Sequence, residues 1–137
     1  MLIARNIILK RGNVVWIDFG FNIGYEFGGM HPAIILKNFD NELFVLPISS
    51  KKPIEYKKID EKLDKNEITI EESQTQKNEI TEILQLDKIF GFKHIVRWSN
   101  ITRMRKVSIL RVNFSGSIRS ISGEDLNRIS EKIKQEF

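Results

Sequence analysis

His31 stands directly before Pro32 at the end of a glycine-rich run, GFNIGYEFGGMH, and Asp87 stands between Leu86 and the apolar pair Ile89 and Phe90. An imidazole can donate to an anionic oxygen and can transfer a proton near neutral pH. Apolar neighbours desolvate a carboxyl group, which raises its pKa toward the range where it can serve as a base. A third group is KHIVRWSNITRMRKVSILR, in which Arg97, Arg103 and Arg105 interleave with Trp98. Basic side chains neutralise phosphates while an exposed aromatic ring stacks on an unpaired base. Each group also has a plainer reading. His31 can be an incidental loop residue, Asp87 a turn carboxylate paired with Lys88 or an arginine, and Trp98 a core or subunit-contact residue that leaves only the arginines exposed.

The charge distribution supports a polyanion as partner. Residues 88–123 carry eight basic side chains and no acidic one, whereas residues 54–82 carry five basic and nine acidic ones. Folded together, the first block makes a strongly positive face that the net charge of +4 conceals. Zero cysteines exclude a disulfide scaffold, a thiolate zinc site and a cysteine nucleophile, and they fit a reducing, cytoplasmic setting. With two histidines in the chain, little remains for an imidazole metal cluster, so no metal or other cofactor is expected. No stretch has the length or continuous apolarity of a signal peptide or membrane span.

The elements that must position these residues are mostly short strands. A chain of 137 residues with 41% apolar content suits one domain, taken here as residues 1–137. Asn13 to Phe19, Pro32 to Lys37 and Glu42 to Ile48 have strand length and β-branched or aromatic composition, and residues 38–41 supply hairpin chemistry between the last two. Residues 51–82 read as a solvated, charged insertion with short helix or edge-strand pieces and little chemistry. Strand patterns return at Ile83 to Leu86, Ile89 to Trp98 and Val107 to Phe114. The period then changes: Ser122 with Asp125 resembles a capping box, and Leu126, Ile129, Ile133 and Phe137 share one face of a helix over Gly123 to Glu136. Many short strands closed by one helix predict a mainly β, α+β fold, a small bent antiparallel barrel.

Four segments in order, RGNVVWIDFG (11–20), GYEFGGMHPAIIL (24–36), LPISS (46–50) and LQLDKIFGF (84–92), resemble the MazF/PemK family of toxin endoribonucleases. The resemblance implies an SH3-like antiparallel β-barrel with a C-terminal helix and a homodimer. It further implies cleavage of single-stranded RNA, including mRNA, without a metal, and a cognate antitoxin that neutralises the toxin. On this resemblance Asp87 matches an acidic catalytic position, and Ser49 matches a threonine whose hydroxyl contacts the scissile phosphate. Glu26 matches a loop glutamate that orients the site or contacts RNA, with a loop-holding salt bridge as the other reading. Ser49 and Ser50 can equally just end a strand.

Two positions depart from the family. His31 stands where better-known members carry a catalytic arginine, and Gln85 stands where some carry an arginine as general acid. A replacement cation has to come from Arg97, Arg103 or Arg105, if the fold brings one of them near; Arg103 itself resembles a basic residue in the loop after the strand. The losses also keep open an attenuated enzyme, a non-cleaving nucleic-acid-binding barrel, and a CcdB-like gyrase poison on the same barrel.

Overall fold

The computed structural model describes residues 8–20, 29–86, 89–90 and 96–137. Its strands are β1 (Asn13–Asp18), β2 (Met30–Asn38), β3 (Glu42–Ser49), β4 (Ile83–Leu86), β5 (Ile89–Phe90), β6 (Arg97–Asn100), β7 (Arg105–Ser108), β8 (Val112–Asn113) and β9 (Arg119–Ile121). Helices α1 (Ile54–Asp64) and α2 (Ile70–Asn78) lie between β3 and β4, and α3 (Gly123–Glu136) closes the chain. All ladders are antiparallel. The fold is thus mainly antiparallel β with a C-terminal helix, as the composition of the short apolar runs predicts.

The strands run in the order β4-β6-β3-β2-β1-β9-β5, with β7 on β3 and β8 on β1. No ladder joins β4 to β5 among the described residues, yet only two residues separate them in the chain. Leu86 and Ile89 are therefore at most about 11 Å apart between Cα atoms. The end of β4 and the start of β5 thus lie near one another, while no described ladder closes the sheet.

Strands β1 to β3 are apolar on consecutive positions because both faces are covered, which favours unbroken hydrophobic runs over alternation. One face sets Val14, Ile34, Leu46 and Ile48 against Leu84, Leu86, Ile101 and Ile129 of α3. The other sets Val15, Ile17, Ala33, Ile35 and Val45 against Leu9 and Val112. A register shift at Leu36, between the pairs Ile35–Val45 and Lys37–Phe44, lets both strands keep apolar side chains on these faces. Full burial of one such side chain stabilises the fold by about 1.5–3 kcal/mol.

Local chemistry explains the boundaries. Gly12 has φ +90°, a left-handed conformation that favours glycine, and its N–H donates to Ile35 O at 2.8 Å where the chain turns into β1. Asn38 Oδ1 accepts from Asp40 N at 2.7 Å in the β2–β3 turn. Ser122 Oγ accepts from Asp125 N at 3.1 Å, while Asp125 Oδ1 accepts from Arg128 at 3.0 Å, so the cap and the first turn hold the buried Asp125 in place.

Two expected strands are divided. Of Ile89 to Trp98, residues 91–95 lie outside the described residues, and the two ends fall in β5 and β6, which pair with different neighbours, β9 for the first and β3 with β4 for the second. Val107 to Phe114 is broken by a 3-10 turn over Ile109–Arg111, where Ser108 Oγ accepts from Leu110 N and draws the backbone out of the ladder. Residues 51–82 resolve into two helices rather than mixed pieces. Thr69 and Glu72 form a full capping box on α2, and Asp60 of α1 accepts from Lys52 and, at 2.7 Å, from Lys77 of α2. Among the described residues no helix is long and apolar enough to cross a membrane.

Candidate functional site

β2 starts at Met30, just past Gly29, whose N–H donates to Gly20 O at 2.8 Å and whose carbonyl accepts from Phe19 N at 2.9 Å. This paired neck fixes where β2 begins and brings His31 to its second position. The β2–β3 register pairs Ala33 with Pro47. Continued by two residues, it sets His31 across from Ser49. On the other edge of β3, Ser49 is paired with Trp98, next to Arg97 in β6. Three adjacent strands thereby contribute His31, Ser49 and Arg97 to one cavity of about 250 Å³, which Trp16, Met30 and Lys51 also line.

Lys51 and Arg97 make the cavity electropositive. Its lining contains no carboxylate among the described residues. Burial, reinforced by the nearby positive charge of Arg119, pushes the Arg97 pKa below the usual arginine value. A guanidinium keeps its proton regardless, so the site retains a positive charge. Ser49 Oγ accepts from Lys51 N at 3.1 Å, a bond that does not use the hydroxyl proton.

A second, larger cavity of about 460 Å³ adjoins the first, with Ser49 and Lys51 in the lining of both. Its walls come from Lys52 before α1, from the start of α1 with Glu55 and Lys57, and from β6 and the turn after it, with Trp98, Ser99, Asn100 and Arg103. Arg103 is positioned by a 3-10 turn in which Asn100 Oδ1 accepts from Thr102 N at 2.9 Å and Ile101 is fully buried.

A family model for PemK-like, MazF-like toxins of type II toxin–antitoxin systems matches residues 10–137. The chain belongs to this family. Comparison with curated proteins gives no match. The PemK/MazF family is one of toxin components and, in general, of endoribonucleases, and the paired cavities agree with an anionic substrate.

Not all residues singled out from the sequence of this PemK/MazF-like toxin converge. Arg105 lies in β7 opposite Val45, with its guanidinium 4.4 Å from the centre of the Phe19 ring. It lines a separate cavity with Asp18, Lys106 and Arg111. Gln85 is exposed in β4 opposite Trp98 and lines neither of the first two cavities; its backbone carbonyl accepts from Arg128 at 3.0 Å. Glu26 and Asp87 lie outside the described residues. Sequence reasoning missed Lys51, Lys57, Ser99 and Asn100. The one available signal was the Lys51–Lys52 pair directly after the hydroxyls of LPISS, absorbed there into a solvated insertion.

Proposed function

We propose that this PemK/MazF-like toxin is a metal-independent endoribonuclease that cleaves single-stranded RNA by attack of the ribose 2′-hydroxyl on the adjacent phosphorus. The observation that carries the reading is the convergence of His31, Ser49 and Arg97 from three strands on one cavity without a carboxylate in its described lining. Arg97 supplies the cation that the motif position of His31 lacks.

In the reaction the 2′-oxygen bonds to phosphorus as the bond from phosphorus to the 5′-oxygen breaks. Arg97 and the Ser49 hydroxyl stabilise the charge that builds on the non-bridging oxygens. Protonated His31 gives its proton to the departing 5′-oxygen, and Asp87, assigned on the family resemblance, takes the proton of the 2′-hydroxyl. The products are a 2′,3′-cyclic phosphate and a free 5′-hydroxyl. Cleavage of mRNA arrests translation in the cytoplasm. Toxin membership of a type II system supports a cognate antitoxin as partner. A homodimer and a single toxin domain spanning residues 1–137, with residues 51–82 as an insertion, complete the reading.

The test is an RNA oligonucleotide incubated with the purified toxin and excess chelator. Cleavage to a cyclic phosphate is expected, and a single 2′-deoxy substitution at the scissile nucleotide should abolish it. Loss of cleavage on chelation would refute metal independence. Tight RNA binding with no cleavage under any condition would make the protein a binder.

A further inference from the structure

A third cavity, of about 320 Å³, carries positive charge that the proposed cleavage site does not use. Its apolar wall, Phe19 and Val107, packs with Val15 and Ile17, whereas Ile48 in the wall of the His31 cavity packs with Val14 and Leu46. The two cavities therefore belong to opposite faces of the central strands. Arg105, Lys106 and Arg111 line the third one, against the single carboxylate of Asp18 in its described lining. Each cation is oriented by a neutral group. The Arg105 guanidinium lies 4.4 Å from the centre of the buried Phe19 ring, and Lys106 Nζ lies 5.1 Å from that of Phe39. Arg111 Nη1 donates to the main-chain carbonyl of Asp18 at 3.4 Å. It fits there because residue 20 is glycine: a Cβ at this position, with φ +74°, would stand 2.9 Å from that nitrogen. Aromatic rings and carbonyls orient a cation without cancelling its charge. Asp18 is held as well, since its Oδ1 accepts from Gly20 N at 2.8 Å. Ser108 Oγ, also in the lining, accepts from Leu110 N, a bond that does not use the hydroxyl proton.

We propose that this cavity binds a phosphate dianion, either free phosphate or the terminal group of a small phosphomonoester. Three cations against one carboxylate leave an excess of two positive charges in the described lining. That matches the charge of about −1.5 to −2 on a phosphomonoester at neutral pH. The forked donors of Arg105 and Arg111 suit phosphate oxygens, and the Ser108 hydroxyl adds a neutral donor. The volume lies within the range of about 300–1,000 Å³ typical of small-molecule sites, so the group that bears the phosphate has room beside it. A phosphate held by both arginines ties β7 and the 3-10 turn after it to the end of β1, through Phe19 and Asp18. The inference is independent of the ribonuclease reading, which concerns the opposite face.

The experiment titrates inorganic phosphate, and separately a nucleoside 5′-monophosphate, into the isotope-labelled full chain at constant ionic strength, so that screening is matched. The amide NMR signals of Phe19, Gly20, Lys106, Ser108 and Arg111 should shift and saturate. Arg111→Gln, at an exposed position that leaves the fold intact, should weaken this binding about tenfold or more. Gly20→Ala removes no charge but displaces the Arg111 side chain, and a folded Gly20→Ala should also bind more weakly. Lys134→Gln removes an exposed charge on α3 and should bind as the wild type does. Equal affinity for the two ligands assigns the free ion, and tighter binding of the nucleotide assigns the monoester; either result upholds the site. Equal losses in Arg111→Gln and Lys134→Gln would reduce the binding to net charge and overturn it. Absence of saturable shifts at these signals, or shifts confined to His31, Ser49 and Arg97, would overturn it as well, the last of these leaving the cleavage cavity in place.

Discussion

Replacing Arg97 with methionine separates charge from packing at the smaller cavity. Methionine preserves most of the aliphatic stem, so contacts of the side chain along β6 persist. The charge it removes is one that burial and Arg119 both disfavour in the folded protein. Stability should hold or rise slightly. Activity should move the other way, because a fixed donor aimed at developing phosphorane charge contributes about 2.7–4 kcal/mol, or a factor of about 10²–10³ in rate. Single-turnover cleavage of a labelled oligonucleotide, run beside urea denaturation, reads both quantities. Arg105→Met is the matched comparison, since that guanidinium stacks on Phe19 in a different cavity. It should lose about 0.5–1 kcal/mol of stability and far less activity. Arg97→Met cutting within threefold of the wild type, or equal rate losses for the two arginine variants, would refute the assignment of Arg97 as the catalytic cation.

Three further outcomes concern the scaffold. Ile129→Ala, at a fully buried position where α3 meets β4 and the turn at Ile101, should cost about 2–5 kcal/mol in urea unfolding. Gly12→Ala places a Cβ 3.4 Å from Leu126 Cδ2 at φ +90° and should cost about 1–2 kcal/mol by the same measurement. Hydrogen bonds from Lys52, then from Lys77, hold the Asp60 carboxyl below the usual carboxylate range. A depressed folded-state pKa means that this stabilisation is fully present above the unfolded value of about 4 and disappears as pH falls through the folded one. Asp60→Asn should therefore be less stable than the wild type at pH 7, by about 1 kcal/mol or less for a surface cluster. The gap should close in acid, and a constant gap down to pH 3 would refute the pairing.

What was legible in the sequence was local. Ser122, Asp125 and the apolar stripe through Ile129 specify α3 to the residue because caps and periodicity act within a few positions. The runs through Val14, Ile34 and Leu46 show strands, since two covered faces demand continuous apolarity. Long-range placement was not legible. Arg97 and Arg105 are the same residue type in the same basic block, yet the turn at Ile101–Arg103 sends them to different cavities. Lys57 looks like one more solvated lysine until α1 is set against β6. Nor does spacing reveal that Ile89 and Arg97 begin strands on different neighbours.

The near-meeting of β4 and β5 has a consequence for how other molecules can attach. An open sheet offers a row of unpaired backbone groups that any extended peptide can extend, including a second copy of the same chain. Here the last residue of β4 and the first of β5 lie at most about 11 Å apart between Cα atoms, and no ladder joins the two strands among the described residues. A molecule that captures this protein there finds only the 4 residues of β4 or the 2 of β5 to pair with, so most of its recognition falls on side chains. Selectivity there depends on sequence, and changing a few surface residues is enough to alter it without disturbing the fold.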